Sequence, residues 1–172
     1  GRLAAEKGVD VLIRAFAISD FEGRLVIAGE GAELSELRKL AAQLGVIERI
    51  DFTGAVYGER LFDIIRKSCA VIVPSLWYEV FGMVNVEAAA LGKPVIASDI
   101  GGIPEAMIAG QTSLLIEAAS VAELAQTIDA LNVDRSMAER FGRAGRDFVI
   151  GLFTADRHLN SLIPLYEKAL RS

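Results

Sequence analysis

Along this chain, stretches with apolar residues every three or four positions alternate with short unbroken apolar runs. Val9, Leu12, Ile13 and Phe16 share one face of a predicted first helix. The run from Leu25 to Ala28, closed by Gly29, predicts a strand. Leu34, Leu37, Ala41 and Leu44 give a second amphipathic helix, with Glu36, Arg38 and Lys39 on its other faces. Residues 50–53 form a short strand ending at Gly54, Leu61, Phe62, Ile64 and Ile65 a third helix, and residues 70–73 a buried strand. A helix follows Gly82 and ends at Leu91-Gly92-Lys93-Pro94; residues 95–97 and 114–116 read as two more strands. Ser120 and Glu123 have the spacing of a capping box ahead of Leu124, Ile128 and Leu131. Met137, Phe141 and Phe148 mark another helix, and a last one starts near Thr154 with Leu159, Leu162, Tyr166 and Leu170. Pro164 has no N–H for the helix ladder and predicts a kink or restart there. Helices alternating with unbroken apolar strands predict a doubly wound, Rossmann-like α/β domain whose parallel sheet is covered on both faces.

Composition narrows the classes. The 172 residues make one well-buried domain, 1–172, rather than two. Although 52% of residues are hydrophobic, no run approaches the roughly eighteen needed to span a bilayer. A net charge of −5 argues against a nucleic-acid partner, which calls for a basic face. The single Cys69 cannot form an internal disulfide, and no charged-then-apolar leader opens the sequence; both fit a cytoplasmic location. Next to Ala70 and Val71, Cys69 reads as a small buried hydrophobe. The single histidine, His158, has no Cys/His/Asp neighbours at ligand spacing, so neither a metal site nor a resident cofactor is expected.

Candidate chemistry concentrates in Pro74-Ser75-Leu76-Trp77-Tyr78-Glu79-Val80-Phe81-Gly82-Met83-Val84-Asn85-Val86-Glu87. A strand, a loop and a helix that starts at a glycine aim backbone N–H groups and a positive dipole end at the strand tip, which suits an anion. Glu79 in the loop and Glu87 early in the helix would face hydroxyls rather than phosphate. Hydroxyls beside an anion describe a sugar nucleotide.

These residues resemble the paired-glutamate signature of family 4 of the retaining glycosyltransferases (glycosyl transferases group 1), which have the GT-B fold. Gly1-Arg2-Leu3 with Glu6-Lys7-Gly8 is similar to that family's Arg/Lys diphosphate motif. Leu25-Val26-Ile27-Ala28-Gly29-Glu30-Gly31, Phe52-Thr53-Gly54, Lys93-Pro94-Val95-Ile96-Ala97 and Gly101-Gly102-Ile103-Pro104-Glu105 follow in the family's order. The resemblance implies that Arg2 and Lys7 hold the diphosphate of a nucleoside diphosphate hexose, such as a UDP- or GDP-sugar, and steady its departure without Mg²⁺. It implies that Glu87 accepts hydrogen bonds from both ribose hydroxyls. Glu79 would lie near the donor sugar, binding hydroxyls or stabilising charge at the anomeric carbon. Phe81, Gly82, Met83 and Val84 would act through backbone N–H groups, with side chains in the core, and the backbone of Val56 would meet the base edge. Trp77 and Tyr78 would either line a sugar cleft or, as loop aromatics more often do, pack on a helix. One departure is Ser113, where a glycine is usual after Gly110-Gln111-Thr112.

In the resembling family, Gly-Arg-Leu follows a central strand, and a sheet without it would have two unpaired edges. The expectation is therefore a C-terminal, donor-binding domain without its first strand or the N-terminal acceptor domain. The final helix, 154–172, would pack towards that absent domain, through which alone any peripheral membrane association would arise. The leading reading is the donor domain of a retaining, metal-independent hexosyltransferase, inactive in transfer when isolated. One alternative is a non-catalytic sugar-nucleotide binding or regulatory module, which the intact Glu79 and Glu87 disfavour. A dinucleotide oxidoreductase is another, but Leu34 occupies the third glycine position of the run that starts at Gly29-Glu30-Gly31.

Overall fold

A computed structural model describes residues 1–170. After a 3₁₀ turn at Ala5–Lys7, the elements are α1 (Val9–Ile18), β1 (Leu25–Ala28), α2 (Leu34–Gln43), β2 (Ile50–Gly54), α3 (Gly58–Lys67) and β3 (Val71–Val73). There follow α4 (Met83–Ala90), β4 (Val95–Ser98), α5 (Ile103–Ala106), β5 (Leu114–Ile116), α6 (Val121–Val133), α7 (Arg135–Leu152) and α8 (Ala155–Leu170). The expected residues 171–172 of the last helix lie outside the described residues. All strand pairing between the named strands is parallel, as the alternating pattern predicts.

The strands form two sheets, β1-β2 and β3-β4-β5, rather than one. The N-terminal segment runs between them. Arg2 bridges in parallel to Glu30, the Leu3 N–H donates to the Glu30 carbonyl at 2.7 Å, and the Leu76 N–H donates to the Glu6 carbonyl at 2.8 Å. Helix α1 joins the halves through its core face. Ile13 and Phe16 pack with Ile27, Leu37 and Ile50, while Leu12 and Ala15 pack with Ile96, Ile116 and Leu124.

Burial differs between the sheets. Every residue of β4 is buried, so the expectation of two covered faces holds there. In β1, Val26 is exposed. The reason lies in α3, whose Leu61, Phe62 and Ile65 join the cluster around Val71, Val73 and Val95 instead of covering β1.

Several local expectations change. Cys69 is exposed, because the turn it occupies precedes β3, which begins at Val71. The Ser120 side chain makes no cap bond; the Glu123 carboxylate accepts from the Glu117 N–H at 2.7 Å, so the box does not close. Asp134 does cap α7, its Oδ1 accepting from the Met137 N–H at 2.9 Å. Helix α8 continues through Pro164 without restarting. Pro164 and Asn160, whose carbonyl loses the ladder donor, are both exposed, so water can satisfy that carbonyl.

Candidate functional site

The loops at the carboxyl ends of the parallel strands converge on one edge, where open α/β sheets bind ligands. The loop after β3 is central, and α4 rises from it. Gly82 caps α4 with φ 74°, a left-handed conformation that L side chains rarely adopt. It starts α4, whose first N–H groups have no intrahelical partner.

Helix α4 is fixed from behind by α7. A Cβ on Gly142 would lie 2.2 Å from the Gly92 carbonyl oxygen, and one on Gly145 would lie 3.3 Å from Ala89 Cβ. The two glycines let α7 approach the backbone at the C-terminal end of α4, and the direction of α4 follows from that contact. Glu87, about one turn beyond Gly82, is half-buried on α4, and its carboxylate has no hydrogen-bonding or ionic partner among the described residues. Asn85 is fully buried, and both its amide atoms lack a partner among the described residues.

The N-terminal loop docks against the β3 loop at Gly8, where a Cβ would lie 2.0 Å from the Pro74 carbonyl oxygen. This close approach brings Lys7 onto Glu79. Lys7 Nζ donates to Glu79 Oε1, and Ser75 Oγ donates to the same oxygen at 2.9 Å. The Lys7 and Glu79 side chains retain 33% and 22% of their exposure, so the pair is partly shielded. Burial pushes the Glu79 carboxyl up, but the hydrogen bonds from Lys7 and Ser75, with the charge of Lys7, outweigh it and hold the group below its ordinary range. Arg2 is exposed and paired with Glu6.

From the other side, the turn after β4 supports the Glu79 backbone. The Gly102 N–H donates to the Glu79 carbonyl at 2.7 Å. A Cβ on Gly102 would lie 2.0 Å from the Val80 oxygen, and one on Gly101 2.5 Å from the Glu79 oxygen. Only glycine fits either position.

Of the residues predicted from sequence, the structure joins Lys7 to Glu79 and sets Glu79, Phe81, Gly82, Met83, Val84 and Glu87 on one loop-and-helix unit. Arg2 shares the N-terminal loop with Lys7 but faces Glu6. Val56 is buried in the loop after β2, at the same edge of the fold. Phe81 joins the core and stacks edge-on against Phe153, with ring centroids 5.3 Å apart. Met83 and Val84, expected in the core, are exposed, because the buried face of α4 is Asn85, Val86, Ala88 and Ala89. Trp77 and Tyr78 are exposed as well, not packed on a helix. Sequence reasoning assigned no role to Ser75, Gly101 or Gly102. Among the described residues, no group of three or more His, Cys, Asp or Glu side chains is arranged to hold a metal ion, and no helix is long and apolar enough to cross a membrane.

The chain is similar to known proteins in sequence and in fold. The family model for glycosyl transferases group 1 matches residues 1–148. The GDP-mannose-dependent alpha-(1-6)-phosphatidylinositol monomannoside mannosyltransferase of Mycobacterium tuberculosis is 36% identical over 157 residues, covering 86% of this chain and 41% of that protein. The D-inositol 3-phosphate glycosyltransferase of Streptomyces avermitilis is 35% identical, over 84% of this chain and 33% of that protein. Anabaena HepE, crystallised with UDP-glucose, superposes with a TM-score of 0.90 at 25% identity, over 98% of this chain and 47% of that one. A crystallised C-terminal domain of a group 1 glycosyl transferase from Francisella tularensis has a TM-score of 0.82 at 26% identity, over 90% of this chain and 84% of that one. The chain thus spans less than half the length of the curated relatives it matches. It belongs to the glycosyl transferases group 1 family and has the α/β fold of the GT-B glycosyltransferases.

Proposed function

We propose that this chain is the donor-binding half of a retaining, metal-independent hexosyltransferase acting on a nucleoside diphosphate hexose. The observation that carries the reading is the convergence of Lys7, Glu79 and the start of α4 at one loop edge. Arg2 and Lys7 hold the diphosphate together with the free N–H groups after Gly82, contributed by Met83 and Val84, and stabilise the charge that develops on the leaving group. Those groups supply the positive charge that a metal would otherwise bring. Glu87, whose carboxylate is unpartnered, takes the ribose hydroxyls, and the backbone of Val56 meets the base. Glu79 faces the donor sugar. Binding by the related proteins, GDP-mannose-dependent in one and with UDP-glucose in another, supports this donor class.

The acceptor is held by an N-terminal domain of the same protein, which also covers α8. The apolar residues exposed on α8, Leu159, Ile163, Leu165 and Tyr166, favour such packing. The whole enzyme works in the cytoplasm. Titration calorimetry with GDP-mannose, GDP, UDP-glucose and UDP, each in excess EDTA, tests the reading. At least one pair should bind; loss of all binding on chelation would contradict it.

A further inference from the structure

The Glu79 carboxylate is used unequally. Oε1 accepts from both Lys7 Nζ and Ser75 Oγ, whereas Oε2 has no partner among the described residues. Ser75 is 1% exposed. A hydroxyl in that position cannot donate to bulk water, so its hydrogen bond to Oε1 is the one that satisfies it. The Glu79 backbone is held separately, by the Gly102 N–H. With the main chain fixed at one end and Oε1 at the other, little torsional freedom remains. The carboxylate plane is set, and Oε2 is the oxygen left for a ligand.

Lys7 alone could not set this plane. Its ammonium is a mobile point charge on a flexible stem, with three rotatable donors. When an anion binds it must also serve the diphosphate, and its hold on Oε1 then weakens. Ser75 has a short side chain in the loop just after β3 and no competing role, so it keeps Oε1 engaged when Lys7 turns.

We infer that Ser75 is a positioning residue for sugar recognition: by holding Oε1 it directs Glu79 Oε2 at a hydroxyl of the donor sugar, and so favours the nucleotide sugar over the bare nucleoside diphosphate. The inference rests on the proposal that Glu79 faces the donor sugar. It adds a residue with no contact to that sugar and assigns separate duties to the two carboxylate oxygens.

The test uses Ser75→Ala, Glu79→Ala and the double variant in the full natural protein, with GDP-mannose against GDP and UDP-glucose against UDP in calorimetry. For the pair that binds, Ser75→Ala should weaken the nucleotide sugar roughly tenfold and change the nucleoside diphosphate less than about twofold. Because Ser75 acts through Glu79, adding Ser75→Ala to Glu79→Ala should change neither affinity by more than about twofold. Equal weakening of both ligands, additive effects in the double variant, or no effect of Ser75→Ala would each overturn the role of Ser75 while leaving the donor reading intact. If neither pair binds the unaltered protein, the donor reading falls, and this inference with it.

Discussion

Replacing Gly102 with alanine tests how Glu79 is held. Gly102 has φ −85° and ψ 2°, which alanine adopts without strain, so any effect must come from the added methyl. That methyl would sit 2.0 Å from the Val80 oxygen and 2.8 Å from the Val80 carbonyl carbon. Carbon and oxygen do not approach within about 3 Å, so the loop has to withdraw by about 1 Å. Withdrawal also stretches the 2.7 Å hydrogen bond from Gly102 N–H to the Glu79 carbonyl. Overpacking of this size costs about 1–3 kcal/mol of stability. A misplacement of about 1 Å at a reacting group can lower turnover on the order of a hundredfold. Gly45→Ala is the control: no atom lies within 4 Å of its added methyl, and with φ 73° it carries only backbone strain. Urea unfolding and steady-state transfer by the full protein read the two effects. Gly102→Ala should lose kcat far beyond its loss of stability, and Gly45→Ala should lose stability alone. Unchanged turnover by a folded Gly102→Ala variant would refute the claim that this turn positions Glu79.

Other expectations follow from the same geometry. Glu87→Ala should weaken nucleoside diphosphate binding by about 1.5–3 kcal/mol in calorimetry, the range for hydrogen bonds to a charged group; unchanged affinity would remove Glu87 from the ribose. Binding should weaken as salt rises, because Arg2 and Lys7 are proposed to hold the diphosphate, and an Arg2→Ala, Lys7→Ala variant should show a shallower dependence. Glu79 lies below its ordinary value of 4.5 when folded, so its contribution to stability is full above that value and is lost as pH falls through the lowered folded one. Acid unfolding of Glu79→Gln should therefore show less pH dependence below about pH 4.5 than the unaltered chain. Residues 1–172 alone should hydrolyse donor slowly and transfer little, since the acceptor is proposed to sit on another domain; full-rate transfer by them, in an assay with labelled donor, would contradict that.

Much of the fold was legible because its signals are local. The run at residues 25–28 and the helical period from Val9 to Phe16 mark β1 and α1 directly. Gly82 at the head of an apolar helix marked the candidate anion site for the same reason. The missed features depend on contacts between distant segments. Nothing near Gly102 in sequence announces that its hydrogen takes the place of a clash with Val80, and nothing near Ser75 indicates that Lys7 would share Glu79 with it. Met83 and Val84 look like core residues by composition, but the orientation of α4, set by Gly142 and Gly145 of α7, turns them outward. The capping box at Ser120 does not form, because the Glu123 carboxylate accepts from the Glu117 N–H while the Ser120 N–H donates to the Glu117 carbonyl at 3.1 Å.

In the proposed arrangement the N-terminal loop, the start of α4 and Glu87 bind one nucleotide. A crystal structure of the protein with the nucleoside diphosphate that binds tightest tests it most directly. The diphosphate should lie within hydrogen-bonding distance of Arg2, Lys7 and the N–H groups after Gly82, with both ribose hydroxyls on Glu87. A diphosphate seated away from the start of α4, or a ribose turned from Glu87, would contradict it.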